Sequence, residues 1–356
     1  MRNLGLDVLR FMAVLLVLGR HMDLTELTGE FAVLRAWYRG GWVGVDLFFV
    51  LSGFLVAGLL FKEHRHHGSI DVQRFLIRRG FKIYPAFYIF ILTTIIIKVI
   101  DNQTIPLTSL FAELFFVQNY VGGLWKHTWS LAVEEHFYLG IALLAYILMK
   151  RNAKEPFSVI PMVWVCVALS CFFLRLATMW IIEDFSHKWY ALGTHIRIDS
   201  LMFGVLIAYL WHYHNLEIRI EKIASIWFIL LGIIFLLPAF IFPIELFKLV
   251  SVIGVISFYI GSGFLLLAAL RLKTSKNRFL QFIGTLGAAS YSVYLWHMMI
   301  NAWGATLFIR LTGLESFWIY LCVYISGSFA VGYMMNKLIE WPTLKLRDRL
   351  FPTSLS

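Results

Sequence analysis

Apolar runs of about 20 residues recur along the chain, separated by short polar or basic stretches. Ten can be drawn, over roughly 4–21, 42–61, 83–100, 130–149, 157–180, 198–213, 223–242, 247–270, 280–302 and 317–338. Their length suits a helix crossing the hydrocarbon core of a bilayer and exceeds that of barrel strands. The stretch 105–120 is apolar but shorter, and is expected to pack as an interfacial or re-entrant piece. The fold class read from this pattern is all-α: a polytopic integral membrane helical bundle of about ten transmembrane helices.

Of the 356 residues 60% are hydrophobic and 15% charged, and the mean hydropathy is +0.76. Soluble domains carry about a quarter charged residues, and a soluble core of this length could not hide so much apolar surface. A soluble enzyme, a nucleic-acid-binding domain and a disordered chain are thereby excluded. Cys166, Cys171 and Cys322 all fall in apolar runs and are expected to be inert packing residues. No cleavable signal peptide is evident, since the first run starts almost at Met1 and contains Asp7 and Arg10. No long soluble segment occurs and the chain stops at Ser356. Residues 1–356 are therefore expected to form a single membrane-embedded domain with no appended soluble domain.

The formal charge of +10 bears on orientation rather than on an acidic partner. With the N-terminus cytoplasmic, the loops on that side, from Arg2 to Arg349, carry 20 Lys and Arg. The opposite loops, with Arg35, Arg39, Lys126, Lys188, Arg197 and Arg310, carry 6. The positive-inside rule then places both termini in the cytoplasm, in agreement with an even span count. The expected setting is the cell (inner) membrane, with lipids and no nucleic acid as partners.

Charged side chains inside spans are costly and mark functional candidates. The first run carries Asp7, Arg10 and His21. At about 100° and 1.5 Å per residue, Arg10 and His21 return to nearly one helix face about 16 Å apart. One wall thus shows a permanent cation and, further outward, a titratable imidazole. The alternative is a snorkelling arginine and an interfacial histidine. Asp46, near the outer end of the second run, could orient that imidazole or satisfy free N–H groups of its own helix. Gly41, Gly44 and Gly53 permit close helix approach.

Arg78, Arg79 and Lys82 form a cationic patch just before the third run, suited to a polyanion with several phosphates or to a topogenic lipid anchor. Glu134, Glu135 and His136 lie inside the fourth run, with Glu134 at a depth comparable to His21 and Glu135 rotated by about 100°. A structural ion pair is the alternative there. Arg197 and Asp199 open the sixth run, His297 lies deep in the ninth as a structural or acceptor-lining group, and Glu340 closes the last as a cap or helix-terminating contact. No metal site is expected.

These residues resemble the multi-pass membrane acyltransferases usually called the acyltransferase 3 family. The matching motifs are Leu6-Asp7-Val-Leu-Arg10 followed by His21, Gly-Val-Asp-Leu-Phe-Phe-Val-Leu-Ser-Gly-Phe at 44–54, and the basic run ending in Pro at 78–85. They continue with Trp-Ser-Leu-Ala-Val-Glu-Glu-His-Phe-Tyr at 129–138 and Tyr-Ser-Val-Tyr-Leu-Trp-His at 291–297. The resemblance implies transfer of an acyl group, commonly acetyl, from cytoplasmic acyl-CoA to a hydroxyl of an envelope glycan, lipid-linked sugar or small molecule. It implies a catalytic role for His21, which can take the acceptor's proton or carry the acyl group itself; on the residues' own chemistry Glu134 or Asp46 would orient the imidazole. It ties Arg10, Arg78, Arg79 and Lys82 to the acyl donor, with Tyr84, Trp129 and Ser130 from the same motifs. Lys82 stands where the family has arginine, keeping charge but losing bidentate phosphate geometry. Arg197, Asp199 and His297 stay candidates for lining the acceptor site.

The Arg10–His21 offset is on the order of an extended pantetheine arm. Acyl-CoA is expected as a co-substrate, acetyl-CoA foremost, with no permanently bound cofactor. The oligomeric state, homo-oligomer included, stays open. A proton-coupled transporter or flippase would also need buried Asp, Glu, Arg and His, though no inverted repeat is visible. A membrane scaffold would need them for folding alone.

Overall fold

The computed structural model describes residues 3–24, 31–151, 153–313 and 316–352, which hold helices and no strand. Arg2, counted above among the cytoplasmic charges, lies outside the described residues. The first nine helices are α1 (Leu4–His21), α2 (Ala32–Gly40), α3 (Val43–His67), α4 (Val72–Ile100), α5 (Leu107–Leu114), α6 (Gln118–Val121), α7 (Trp129–Lys150), α8 (Ile160–Ile181) and α9 (Ile198–Tyr213). They are followed by α10 (Leu216–Ile220), α11 (Ser225–Ile241), α12 (Val255–Arg271), α13 (Arg278–Ala288), α14 (Ser290–Met299), α15 (Ala305–Thr312), α16 (Phe317–Met335) and α17 (Trp341–Leu350).

Among the described residues, six helical stretches are long and apolar enough to cross a membrane: Val43–His67, Val72–Ile100, Trp129–Lys150, Pro156–Ile181, Val250–Arg271 and Phe317–Leu350. They are compatible with a multi-pass membrane protein. Large apolar side chains such as Trp180, Ile181, Trp227 and Ile234 stand exposed on the outside, where water would disfavour them and lipid would not. The other expected runs take different forms. α1 carries Asp7, Arg10 and Arg20, and α9 and α11 are shorter apolar helices. The run 280–302 is not one helix: it breaks at Ala289 into α13 and α14. α13 is held against α1, where a Cβ on Gly287 would sit 1.8 Å from the Asp7 carbonyl oxygen. The chain then turns to bury Tyr294 and His297 in α14.

α3 is the central helix. It crosses α9 through facing glycines: a Cβ on Gly53 would lie 1.9 Å from the Leu201 carbonyl oxygen, and one on Gly204 2.1 Å from that of Val50. Gly41 and Gly44 bring the start of α3 equally close to α1. The close approach expected of Gly41, Gly44 and Gly53 is therefore present, and it sets α3 between α1 and α9.

α4 begins at Val72, eleven residues before the expected run, because Asp71 caps it by accepting the Arg74 N–H at 2.9 Å. The basic patch consequently lies within the helix rather than ahead of it. The stretch 105–120 forms α5 and α6, separated by Phe116 with φ of +55°. Phe116 stacks on Phe87 of α4 at 4.7 Å.

Candidate active site

The end of α1 is fixed from outside the helix, since its last carbonyls have no partner within it. Tyr324 donates to the Leu18 carbonyl at 3.1 Å and Asn301 to that of His21 at 2.6 Å, while one turn earlier Trp37 adds a bond to the Leu15 carbonyl at 3.1 Å. Asn301 lies in a π-type turn, Ile300–Gly304, and its own side-chain oxygen accepts from Tyr320 at 2.7 Å. This lattice sets the position of His21.

Two of the cavities that α1 helps to line hold the expected site residues. The first, of about 160 Å³, is lined by Arg10, Ser52, Arg79, Lys82, Glu134 and Tyr138 among others. The second, of about 520 Å³, is lined by His21 together with Trp42, Gln118, Lys126, Trp129 and Arg197. Val45 and Tyr294 line both. The Arg10–His21 wall therefore runs from one cavity to the other along a single continuous helix.

In the Arg10 chamber, Tyr138 and Ser52 converge on Glu134: the two hydroxyls are 2.8 Å apart, and Ser52 donates to the carboxylate at 3.4 Å. The Arg79 guanidinium lies 5.8 Å from the Tyr138 ring. Lys82 pairs with Glu340, which a second π-type turn, Asn336–Glu340, carries into the interior beside Ser292. Glu340 is thus an ion-pair partner rather than the helix-terminating contact expected of it. Ser130 also lines this chamber and shares a 2.6 Å hydrogen bond with the Tyr294 hydroxyl.

At the other cavity, Nδ1 of His21 lies 3.0 Å from the Val17 carbonyl oxygen and 3.3 Å from Nε2 of His297. Nδ1 of His297 is taken by the Tyr294 carbonyl. A third ring, His127, packs 4.9 Å from His297 and 6.4 Å from His21, with its Nε2 on the Leu295 carbonyl at 3.2 Å. No group of three or more His, Cys, Asp or Glu has metal-holding geometry among the described residues.

Neither expected carboxylate takes the imidazole. Asp46 is fully buried and accepts from Arg197 at 2.8 Å and Ser200 at 3.4 Å. Glu134 lies in the Arg10 chamber, so depth along the sequence did not place it at His21. Asp199, fully buried, pairs with Arg175 of α8 instead of facing a cavity, and Arg175 also donates to the Ile196 and Val252 carbonyls. Arg197 does line the His21 cavity, boxed by Trp42, Phe49 and Trp129 at 5.7–5.8 Å from its guanidinium carbon.

The basic patch also divides. Arg79 and Lys82 face the chamber, whereas Arg78 turns away to Asp348 at 2.9 Å and to the Phe351 carbonyl, clamping α4 to the chain's last helix. Arg10 faces the chamber while pairing with Asp7 at 2.6 Å. Tyr84 donates to Glu135 at 2.9 Å, off both cavities, and Trp129 stands in the His21 cavity beside Arg197 rather than with Arg79 and Lys82. Sequence reasoning passed over His127 and Arg175. Arg175 had a usable signal, a lone charge in a long apolar run, whereas His127 lies in a loop and offered none.

The chain belongs to the acyltransferase family, matching the profile described as "Acyltransferase domain" over residues 3–337. It is similar to "Putative O-acetyltransferase SACOL0978" of Staphylococcus aureus (strain COL), 28% identical over 374 residues covering 96% of this chain and 57% of that protein. It is also similar to "O-acetyltransferase OatA" of Staphylococcus aureus (strain NCTC 8325 / PS 47), 27% identical over 377 residues covering 98% of this chain and 58% of that protein. The chain thus spans a little under three-fifths of the length of these relatives. No solved structure matches it.

Proposed function

We propose that the protein is a membrane O-acyltransferase that moves an acyl group, acetyl foremost, from cytoplasmic acyl-CoA to a hydroxyl of an envelope carbohydrate, lipid-linked sugar or small molecule. In this reading residues 1–356 form one domain in the cell membrane, crossing it ten times with both termini cytoplasmic. The Arg10 chamber then faces the cytoplasm and the His21 cavity faces outward. The observation that carries the reading is the pair of cavities joined by the Arg10–His21 wall and sharing Val45 and Tyr294.

The donor's phosphates are held at the cytoplasmic end by Arg79, Lys82 and Arg10, and its thioester reaches toward Tyr294. The acceptor enters the His21 cavity. His297 carries its proton on Nδ1, toward the Tyr294 carbonyl, so its Nε2 presents a lone pair. The His21 Nδ1–H can then be shared between the Val17 carbonyl and His297, which leaves Nε2 of His21 as the base. Nε2 takes the acceptor's hydroxyl proton as the oxygen attacks the thioester carbonyl. The C–S bond breaks, and the departing thiolate takes the proton back from His21. Ester and free CoA are the products, and His21 ends neutral.

The test is transfer of labelled acetyl from acetyl-CoA by the purified protein in nanodiscs, together with mass spectrometry of envelope glycans and secreted metabolites with and without the protein. His21→Ala should abolish transfer without loss of membrane insertion. Normal turnover by that variant, with its fold verified, removes His21 as the base. A protein that binds no acyl-CoA but moves a glycoconjugate across vesicles would favour the transporter reading.

A further inference from the structure

The His21 cavity is polar in one particular sense. Arg20, Lys126 and Arg197 line it and, among the described residues, no Asp or Glu does. Arg20 is paired with Glu245 at 2.7 Å and Arg197 with Asp46, while Lys126 is exposed and makes no ion pair among the described residues. Arg197 is 1% exposed, yet its Nε and Nη1 have no hydrogen-bond partner among the described residues. The same holds for Nε1 of Trp42 and Oε1 of Gln118, on the same cavity.

Burying a guanidinium with unmatched N–H groups is expensive, and the expense is removed when a ligand supplies the acceptors. Arg197 cannot turn away to find them, because Asp46 holds one end and Trp42, Phe49 and Trp129 surround the plane. The unmatched donors and acceptor at Trp42 and Gln118, with indole faces beside them, suit a hydroxylated ring. The cations suit a negative charge on it. Building on the acyl-transfer reading, we infer that the acceptor is an anionic sugar, carrying a carboxylate or phosphate that Arg197 and Lys126 hold while a neighbouring hydroxyl meets His21.

The experiment uses the full chain in nanodiscs with radiolabelled acetyl-CoA and glycan and small-molecule extracts of the producing cells, fractionated by anion exchange. Label is expected in the retained fractions and not in the flow-through. Labelled product that is entirely neutral overturns the inference while leaving acyl transfer standing. No labelled product in any fraction overturns the acyl-transfer reading itself. Pretreating the active fraction separates the two anions: carbodiimide reduction should abolish acceptance if the group is a carboxylate, and dephosphorylation if it is a phosphate. Acceptance that survives both treatments overturns the inference.

With that fraction in hand, Lys126→Gln, at an exposed site, should raise the acceptor KM about tenfold, and Arg197→Lys by a comparable factor, both with acyl-CoA affinity unchanged. Raising the salt concentration should raise the wild-type KM in the same direction. An acceptor KM indifferent both to salt and to Lys126→Gln removes the anion-holding role.

Discussion

Nε2 of His297 lies 3.3 Å from Nδ1 of His21, so the partner of the proposed base is a second imidazole and not a carboxylate. A neutral partner sets the ring's tautomer and angle without adding a charge to hold an imidazolium. His297→Gln should therefore lower kcat by about two orders of magnitude, in the range that general-base catalysis supplies, with little change in either KM. The pH–rate profile should shift as well, which loss of packing alone would not produce. A variant with wild-type kcat and profile would leave His21 oriented by Val17 alone.

Arg78 and Arg79 are neighbours in sequence with different surroundings. Arg79 faces the chamber, and Arg78 is bound to Asp348 and the Phe351 carbonyl. A charge-assisted contact is worth about 1.5–3 kcal/mol, or one to two decades at about 1.4 kcal/mol each. Arg79→Ala should weaken acyl-CoA binding by about ten- to a hundredfold, and Arg78→Ala by less than about threefold. Titration of labelled acyl-CoA onto each variant checks this, and equal losses would return both residues to one phosphate site.

Arg175 and Asp199 form a pair buried to 1% and 0% exposure. Removing one member strands the other charge in the bundle, which costs about 3–5 kcal/mol, whereas replacing both with apolar groups of similar volume is close to neutral. Arg175→Met should therefore unfold at markedly lower denaturant than wild type, and Arg175→Met with Asp199→Leu should recover most of the loss. If the double variant is no better than the single one, the pair serves something other than mutual neutralisation.

Glu113 accepts from the Leu124 and Trp125 N–H groups and the Thr128 hydroxyl, and it lies outside the six long apolar stretches. Burial pushes its carboxyl up to about 7 from an ordinary 4.5. Between those values the folded chain keeps a proton that the unfolded chain has released, so this group's contribution to stability falls as pH rises through that window and levels off above it. Glu113→Gln keeps an acceptor and removes the titration. Thermal unfolding in detergent should show wild type losing ground to the variant between about pH 5 and pH 8, and parallel curves would mean that Glu113 ionises normally.

The helical character of the chain, the common wall of Arg10 and His21 and the glycine-mediated approach of α3 could be read from the sequence. Each depends on periodicity or residue size within one helix. The partner of His21 could not, because it comes from a helix 276 positions away and its choice is made by packing. The same applies to Glu134 and Asp46. Their spacing gives a depth and an angle, but the capture of Asp46 by Arg197 depends on how α9 crosses α3 at Gly53 and Gly204. The split of 280–302 at Ala289 was also hidden, since apolar composition continues through the break.

The residues common to both cavities are Val45 and Tyr294, and the Tyr294 hydroxyl is tied to Ser130 and to the His127 carbonyl. This thin partition has a bioenergetic consequence. A continuous water file across an energised membrane would let protons run down their gradient at every turnover. In the acyl-transfer reading proposed above, the tethered phenol and the valine are the side chains past which an acyl group would be handed while water is kept out. On that proposal, acyl groups drawn from a cytoplasmic donor would reach an external acceptor without discharging the membrane between them.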